Sequence, residues 1–448
     1  MGISVKAQRV SFNHNYEETF NRHYDSDGKL IEERILSSEG DYSSGAWEHV
    51  STDNGRTWSE WTTVYDDAEK RHGKIKNSAE GDELLGANGY DVLSGDIALK
   101  VKDEVSGCRV GVSSTFYYLK GHDVGYFDIW EKGEDNMRTH AYFAFMRPDG
   151  TKVARMLEFE EGGADFDPEN PRNPAFIEKN RAYAEDLQVL PDGDLSFMVY
   201  PNMRLACKLA GIDVNAYFPS CPDLMHGLMV ARAHWDADKQ DYIITYSNPI
   251  TLGDLQSSRG VMEAKMTVLP SGRQLVVFRG ACTMLDVWHT RTTPATPAFK
   301  WYSFSDDGGR TFSPAMPWHF DTREVVYSPA SIHQFFRSKK NGKLYWIGNV
   351  ILNPSIIDTS GSDPRWPLQI CQVDEQYGHL IKDTLTEIDT RHEGESYLTE
   401  LSNFNLLEDR ETLELQLRLT KICQFREHYD EVEWYSEAWL YNINFDND

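Results

Sequence analysis

The chain has 448 residues, 40% of them hydrophobic and 12% aromatic, and a net charge of −26. A field of that sign repels nucleic acid and anionic membranes, so neither is an expected partner, although a local arginine cluster could still admit an anionic small molecule to a cleft. No apolar run reaches the length of a membrane-spanning helix.

The opening MGISVKAQRVSF reads as one short strand rather than a signal peptide. That points to a cytoplasmic protein, or to a secreted one if a leader has been removed. From there a phrase recurs in which two strands flank a tight turn carrying Gly after a polar residue, as hairpins require. It occurs as DSDGKL around Gly28, EVSGCRV around Gly107, LPDGDL around Gly193, LPSGRQL around Gly272 and KKNGKL around Gly342. A sixth copy, LLEDRETL around Asp409, lacks the glycine. The separations of those positions are 79, 86, 79, 70 and 67 residues. That spacing suits a four-stranded blade with generous loops, repeated six times around a ring.

A second phrase falls later in two of the units. Ser51 to Trp58 reads S-x-D-x-G-x-T-W, and Ser305 to Phe312 reads S-x-D-x-G-x-T-F. Asp and Ser side chains bond the turn amides, Gly takes positive φ, and the aromatic plugs between neighbouring hairpins. Weaker echoes lie at Arg147 to Gly150, Trp235 to Asp238, and Val373-Asp374. The final strand, EWYSEAWLYNINF, is expected to pair with residues 4–10 and close the ring. One propeller domain spanning 1–448 is therefore expected. Its loop insertions lie near 158–182, which is rich in Pro, Asp and Asn, and near 202–220, where RLACKLAGI suggests a short helix.

Six cysteines are scattered, and none forms a CxxC pair. They read as core thiols, with a Cys207–Cys221 bridge as the alternative in a secreted protein. No HExxH or Gly-rich phosphate loop occurs, so neither a metal nor a cofactor is expected.

Counting chain reversals puts both kinds of turn on one face of the disc. The opposite face then receives the start of strand 1, the end of strand 2 and the start of strand 3 of each blade. In the fourth unit Glu263 lies eight residues before Ser271 and Arg279 eight after it, making them cross-strand neighbours on that second face. Arg365 stands on the same face at the start of a strand in the fifth unit. A planar guanidinium there can take a carboxylate in two parallel bonds.

The paired S-x-D-x-G-x-T-[WF] phrases resemble the Asp-box, or BNR repeat, of the sialidase superfamily. The resemblance implies an all-β, six-bladed propeller of four-stranded antiparallel blades. It implies a sialidase-like exo-glycosidase that removes a terminal, acidic sugar from a glycan or oligosaccharide. By the same resemblance Glu263 polarises a catalytic tyrosine, and Arg279 and Arg365 bind a substrate carboxylate. The general acid corresponds to Asp41, with Glu39 as competitor. The sequence departs from the family at two places. Glu18 stands where the first arginine of the family's triad belongs, and it would repel a sialic carboxylate. Leu401 stands where the nucleophilic tyrosine belongs, and Tyr397 is the nearest replacement.

Two other readings follow from the residues. His122 with Asp123 and Tyr126, His333, and Arg204 with Tyr200 and Asn202 opposite Glu185 and Asp186 are candidates for the same face. A His, a Tyr and an Arg around one cavity could neutralise a uronate and abstract its C5 proton, which is the chemistry of a polysaccharide lyase. The third reading is a glycan-binding propeller without catalysis.

Overall fold

The computed structural model of the protein describes residues 2–25, 27–39, 42–66, 91–93, 97–118, 137–167, 169–170, 172–220, 223–281, 298–358, 361–423 and 434–445. Six antiparallel sheets follow one another around a ring, giving a six-bladed β-propeller. Blade 1 consists of Glu17–Tyr24, Leu30–Glu39, Tyr42–Ser51 and Thr62–Asp66. Blade 2 begins with two short pieces, Asp91–Leu93 and Val101–Lys102, which share Arg109–Tyr118 as partner and are followed by Met137–Met146 and Lys152–Met156. Blade 3 is Ala182–Val189, Leu195–Pro201, Met229–Asp236 and Asp241–Tyr246, and blade 4 is Met262–Val268, Gln274–Arg279, Lys300–Ser305 and Met316–Pro317. Blade 5 is Gln334–Arg337, Leu344–Asn349 and Leu368–Asp374, edged by His379–Leu380 and Thr386–Asp389.

Blade 6 joins the two ends of the chain. Phe404–Glu408, Leu415–Cys423 and Tyr435–Phe445 supply three strands, and Ile3–His14 supplies the outermost, with Ile3 opposite Phe445 and His14 opposite Tyr435. This is the closure expected from the first and last strands. A second tie closes the ring between blades 6 and 1. Glu32 accepts from Arg22 at 2.6 Å, Arg418 at 2.9 Å and His49 at 3.1 Å.

The core lies between blades because the second strand of a blade is covered on both faces. In Leu195–Pro201 every residue is buried. Alternation then divides them by partner. Phe197 and Val199 pack with Phe143 and Phe145 of blade 2, while Met198 and Tyr200 pack with Val276 and Phe278 of blade 4. Trp318 and Trp346 fill the next gap, and Tyr441 with Ile347 the one after. The four described cysteines, including Cys207, are buried free thiols, so Cys207 forms no bridge. Cys221 and Cys282 lie outside the described residues.

The two S-x-D-x-G-x-T phrases fold alike. Ser51 Oγ donates to Asp53 Oδ1 (2.8 Å) and accepts from the Gly55 amide (2.7 Å), while Asp53 takes the Thr57 amide and hydroxyl. Ser305, Asp307, Gly309 and Thr311 repeat each bond. The Thr57 hydroxyl and amide, with Ser51, hold the Asp53 carboxyl down at about 2. Each turn also grips the preceding blade. Asn54 donates to Asp409 of blade 6, and Asn248 of blade 3 exchanges two bonds with the Phe312 backbone. The insertion near 202–220 does form a helix, Met203–Ala210, which Asn202 caps and left-handed Gly211 ends.

In the sixth hairpin Leu413 does what glycine does elsewhere. Its amide bonds the Asp409 carbonyl at 2.8 Å, as Gly342 bonds Ser338, and its φ is 57°. A branched side chain there carries roughly 1 kcal/mol of strain. Leu413→Gly is therefore expected to raise stability by about 0.5 kcal/mol after the entropy cost of glycine. Thermal denaturation checks this, and a lowered midpoint would contradict it.

Candidate functional site

On the face opposite the turns, blade 4 opens with an irregularity. Met262 pairs with Arg279 and Lys265 with Val277, so one residue is bulged out between them. Glu263 sits in that bulge at φ 49°. Such a bulge re-aims a side chain, and a non-glycine residue held there marks a place worth testing for function. Blade 3 has a matching bulge with Asp186 at φ 63°.

Glu263 Oε1 meets Arg279 Nη2 at 3.0 Å. Its Oε2 is buried and has no hydrogen-bond partner among the described residues. Arg279, 8% exposed, also donates to the Ala330 carbonyl at 2.6 Å. Beside it the fully buried Lys300 donates to the Ser331 carbonyl at 2.6 Å and the Pro329 carbonyl at 3.4 Å. Burial first, then repulsion from Arg279, lowers the Lys300 ammonium to about 7. Three successive carbonyls at the approach to blade 5 are thus clamped by two cations of blade 4.

A polar chain runs from here to blade 3. The Tyr200 hydroxyl donates to Glu185 (2.7 Å) and accepts from the amide of Ala264, and Lys265 pairs with Asp186 at 2.6 Å. Burial raises the Glu185 carboxyl against the pull of Lys265, and raises the Tyr200 hydroxyl well above its ordinary value.

Blades 5 and 6 supply the other half of the face. Arg365 Nη1 holds Glu400 Oε2 at 2.7 Å, and the Leu401 amide bonds the Arg365 carbonyl. Buried Asn349 pins both strands. Its Nδ2 reaches the carbonyls of Arg365 (3.0 Å), Pro367 (3.0 Å) and Leu401 (3.1 Å). Asp363 lies two residues before Arg365, and burial raises its carboxyl to about 6 despite that arginine. Tyr397 borders it. Its ring is partly exposed, its hydroxyl donates to the Ile356 carbonyl at 2.5 Å, and burial pushes that hydroxyl up to about 12.

The residues named from the sequence divide accordingly. Glu263 and Arg279 meet, and Arg365 and Tyr397 stand together near Asp363. Tyr397 and Glu263 share no contact among the described residues. Each of Arg279 and Arg365, expected to be open to a sugar carboxylate, already holds a protein carboxylate. Glu18 is buried against Arg34 at 2.5 Å, and Leu401 is fully buried in the core between blades 5 and 6. His333, expected to point at this face, is fully buried, with Nε2 on the Val277 carbonyl. Arg204 lies in the first turn of the helix after Asn202 and grips Asp223 through two bonds of 3.0 and 3.1 Å. Asp41, His122, Asp123 and Tyr126 lie outside the described residues, as does the side chain of Glu39. Lys300, Asp363 and Glu400 were not singled out from the sequence. Asp363 shares the loop GSDPRWPL with Arg365, but no spacing sets it apart there. Among the described residues no group of three His, Cys, Asp or Glu side chains is arranged to hold a metal, and no helix is long and apolar enough to cross a membrane.

The fold is that of a sialidase-like six-bladed propeller. No family model matches the chain, and no curated protein sequence does. Among solved structures the chain is similar to a protein of unknown function from Dyadobacter fermentans, at 12% identity over 98% of this chain and 99% of that one, with a TM-score of 0.50. It is also similar to a mutant of the NanB sialidase from Streptococcus pneumoniae, at 12% identity over 96% of this chain and 68% of that one, with a TM-score of 0.51. At such identity the likeness is one of fold.

Proposed function

We propose that the chain is a carbohydrate-active enzyme, a sialidase-like glycosidase that hydrolyses a terminal sugar from a glycan where blades 4, 5 and 6 meet. The observation that carries this reading is Glu263, turned by a bulge, with one oxygen on Arg279 and the other buried and without a partner among the described residues. A buried carboxylate oxygen without a donor is costly, and such atoms persist where a substrate or an attacking water completes them. Glu263 is the group that would hold or deprotonate the nucleophile. Tyr397 is a weaker candidate for that nucleophile than its position in the sequence suggests, because its hydroxyl is committed to Ile356.

The charge balance favours a neutral sugar over an acidic one. Arg279, Arg365 and Arg34 face Glu263, Glu400 and Glu18, so a sugar carboxylate would compete with a protein carboxylate at each. The same competition weighs against elimination from a uronate.

A panel of aryl glycosides, neutral and sialic, with a uronate polymer beside them, tests the reading. Release of the aryl alcohol from a neutral glycoside is expected. Faster release from the sialoside would overturn the neutral sugar alone. An ultraviolet-absorbing unsaturated product from the polymer would make the protein a lyase, and no product from any substrate would leave a glycan-binding propeller.

A further inference from the structure

We infer that Asp363 is the general acid of this reaction, an inference that rests on the glycosidase reading above. Its carboxyl belongs to a corner built from two blades. Arg365 and Asp358 face it from its own loop, and Glu400 and Tyr397 from the segment leading into blade 6. The carboxyl is partly exposed and makes no hydrogen bond among the described residues. Glu263, Glu400 and Glu18, by contrast, are each paired with an arginine.

The backbone beneath it is fixed. The Asp358 amide bonds the Asp363 carbonyl at 2.9 Å, and the Ala330 amide bonds the Gly361 carbonyl at 2.9 Å. Ala330 is the residue whose own carbonyl Arg279 holds, so the Asp363 loop and the Glu263 pair are joined through one residue. Ser331, next in that segment, has a buried hydroxyl oxygen with no partner among the described residues. The corner also separates the roles of its two carboxyls. Glu400 is neutralised by Arg365, while Asp363, desolvated and facing Glu400 and Asp358, keeps its proton to about 6. The exposed ring of Tyr397 borders the acid and offers the departing sugar an apolar surface.

In the step assigned to it, the Asp363 proton moves to the glycosidic oxygen as the bond from that oxygen to the anomeric carbon breaks. The bonding pair stays on the oxygen and an alcohol leaves. Asp363 remains as a carboxylate, water supplies the new oxygen on the anomeric carbon, and the proton lost by that water restores the acid.

The test compares Asp363→Asn with the wild-type chain on two glycosides of one sugar, one with an activated aryl leaving group and one with an alkyl or sugar leaving group. Asp363→Asn is expected to lose about 10²- to 10⁴-fold on the poor leaving group and less than about tenfold on the activated one. The wild-type rate on the poor leaving group should fall as pH rises through about 6, and that fall should be absent from the variant. The wild-type comparison of the two leaving groups across pH stands even if the variant fails to fold. Equal losses on both substrates, or a wild-type fall on both alike, would overturn Asp363 as the acid and leave the glycosidase reading intact. Absence of turnover on every glycoside would overturn the two together.

Discussion

Glu263→Ala is expected to destabilise the protein by about 2–3 kcal/mol, at or just below the usual cost of breaking a buried pair. The loss comes from what is left behind. Arg279 is 8% exposed and would keep only the Ala330 carbonyl as a partner. Glu263 itself is about a quarter exposed, and its side-chain accessibility of 24% is the reason the figure is not larger. Replacing both residues by methionine should cost less than Glu263→Ala alone, because no charge then stays buried. Urea denaturation measures it as a lower midpoint at unchanged slope. A variant within about 0.5 kcal/mol of wild type, the range of an ordinary surface substitution, would show that the pair is dispensable to the fold.

The second large effect is expected at Asn349, a fully buried residue. Leucine fills nearly the same volume but donates nothing. The carbonyls of Arg365, Pro367 and Leu401 would then lose a donor inside the core. Asn349→Leu is expected to cost about 3 kcal/mol, since a buried acceptor that loses its donor costs about 1–3 kcal/mol, although the Arg365 carbonyl keeps the Leu401 amide. The Leu401 amide, which bonds the Arg365 carbonyl at 2.9 Å, should exchange its hydrogen faster in the variant, because the two segments are no longer pinned. Unchanged exchange there would mean that the Arg365–Glu400 pair holds the corner by itself.

Much of the fold was legible because turn chemistry is local. Glycine at Gly28, Gly107, Gly193, Gly272 and Gly342 marked five hairpins, and the Ser51 and Ser305 phrases marked two outer turns. The sixth hairpin was found by spacing, since Leu413 takes the positive φ itself. The site was legible only within one hairpin. Glu263 and Arg279 meet because equal distances about a turn bring strand ends together, and the bulge changes their register without separating them. The same counting misplaced His333, because the first strand of blade 5 is only Gln334–Arg337 and His333, just before it, is buried with its Nε2 on the Val277 carbonyl of blade 4. Glu400 could not be assigned to Arg365, since that contact joins two blades and no spacing encodes it. Lys300 and Asp363 look like ordinary loop and strand residues; burial gives them their chemistry, and burial belongs to the assembled ring.

The most direct measurement is turnover by Glu263→Gln on whichever glycoside the wild-type chain cleaves fastest, with glycan affinity taken by calorimetry on the same samples. Glutamine keeps the shape and removes the charge. A fall in kcat of about 10³-fold with affinity held within about threefold is the expected result. Undiminished kcat in a folded variant would contradict a catalytic centre at Glu263.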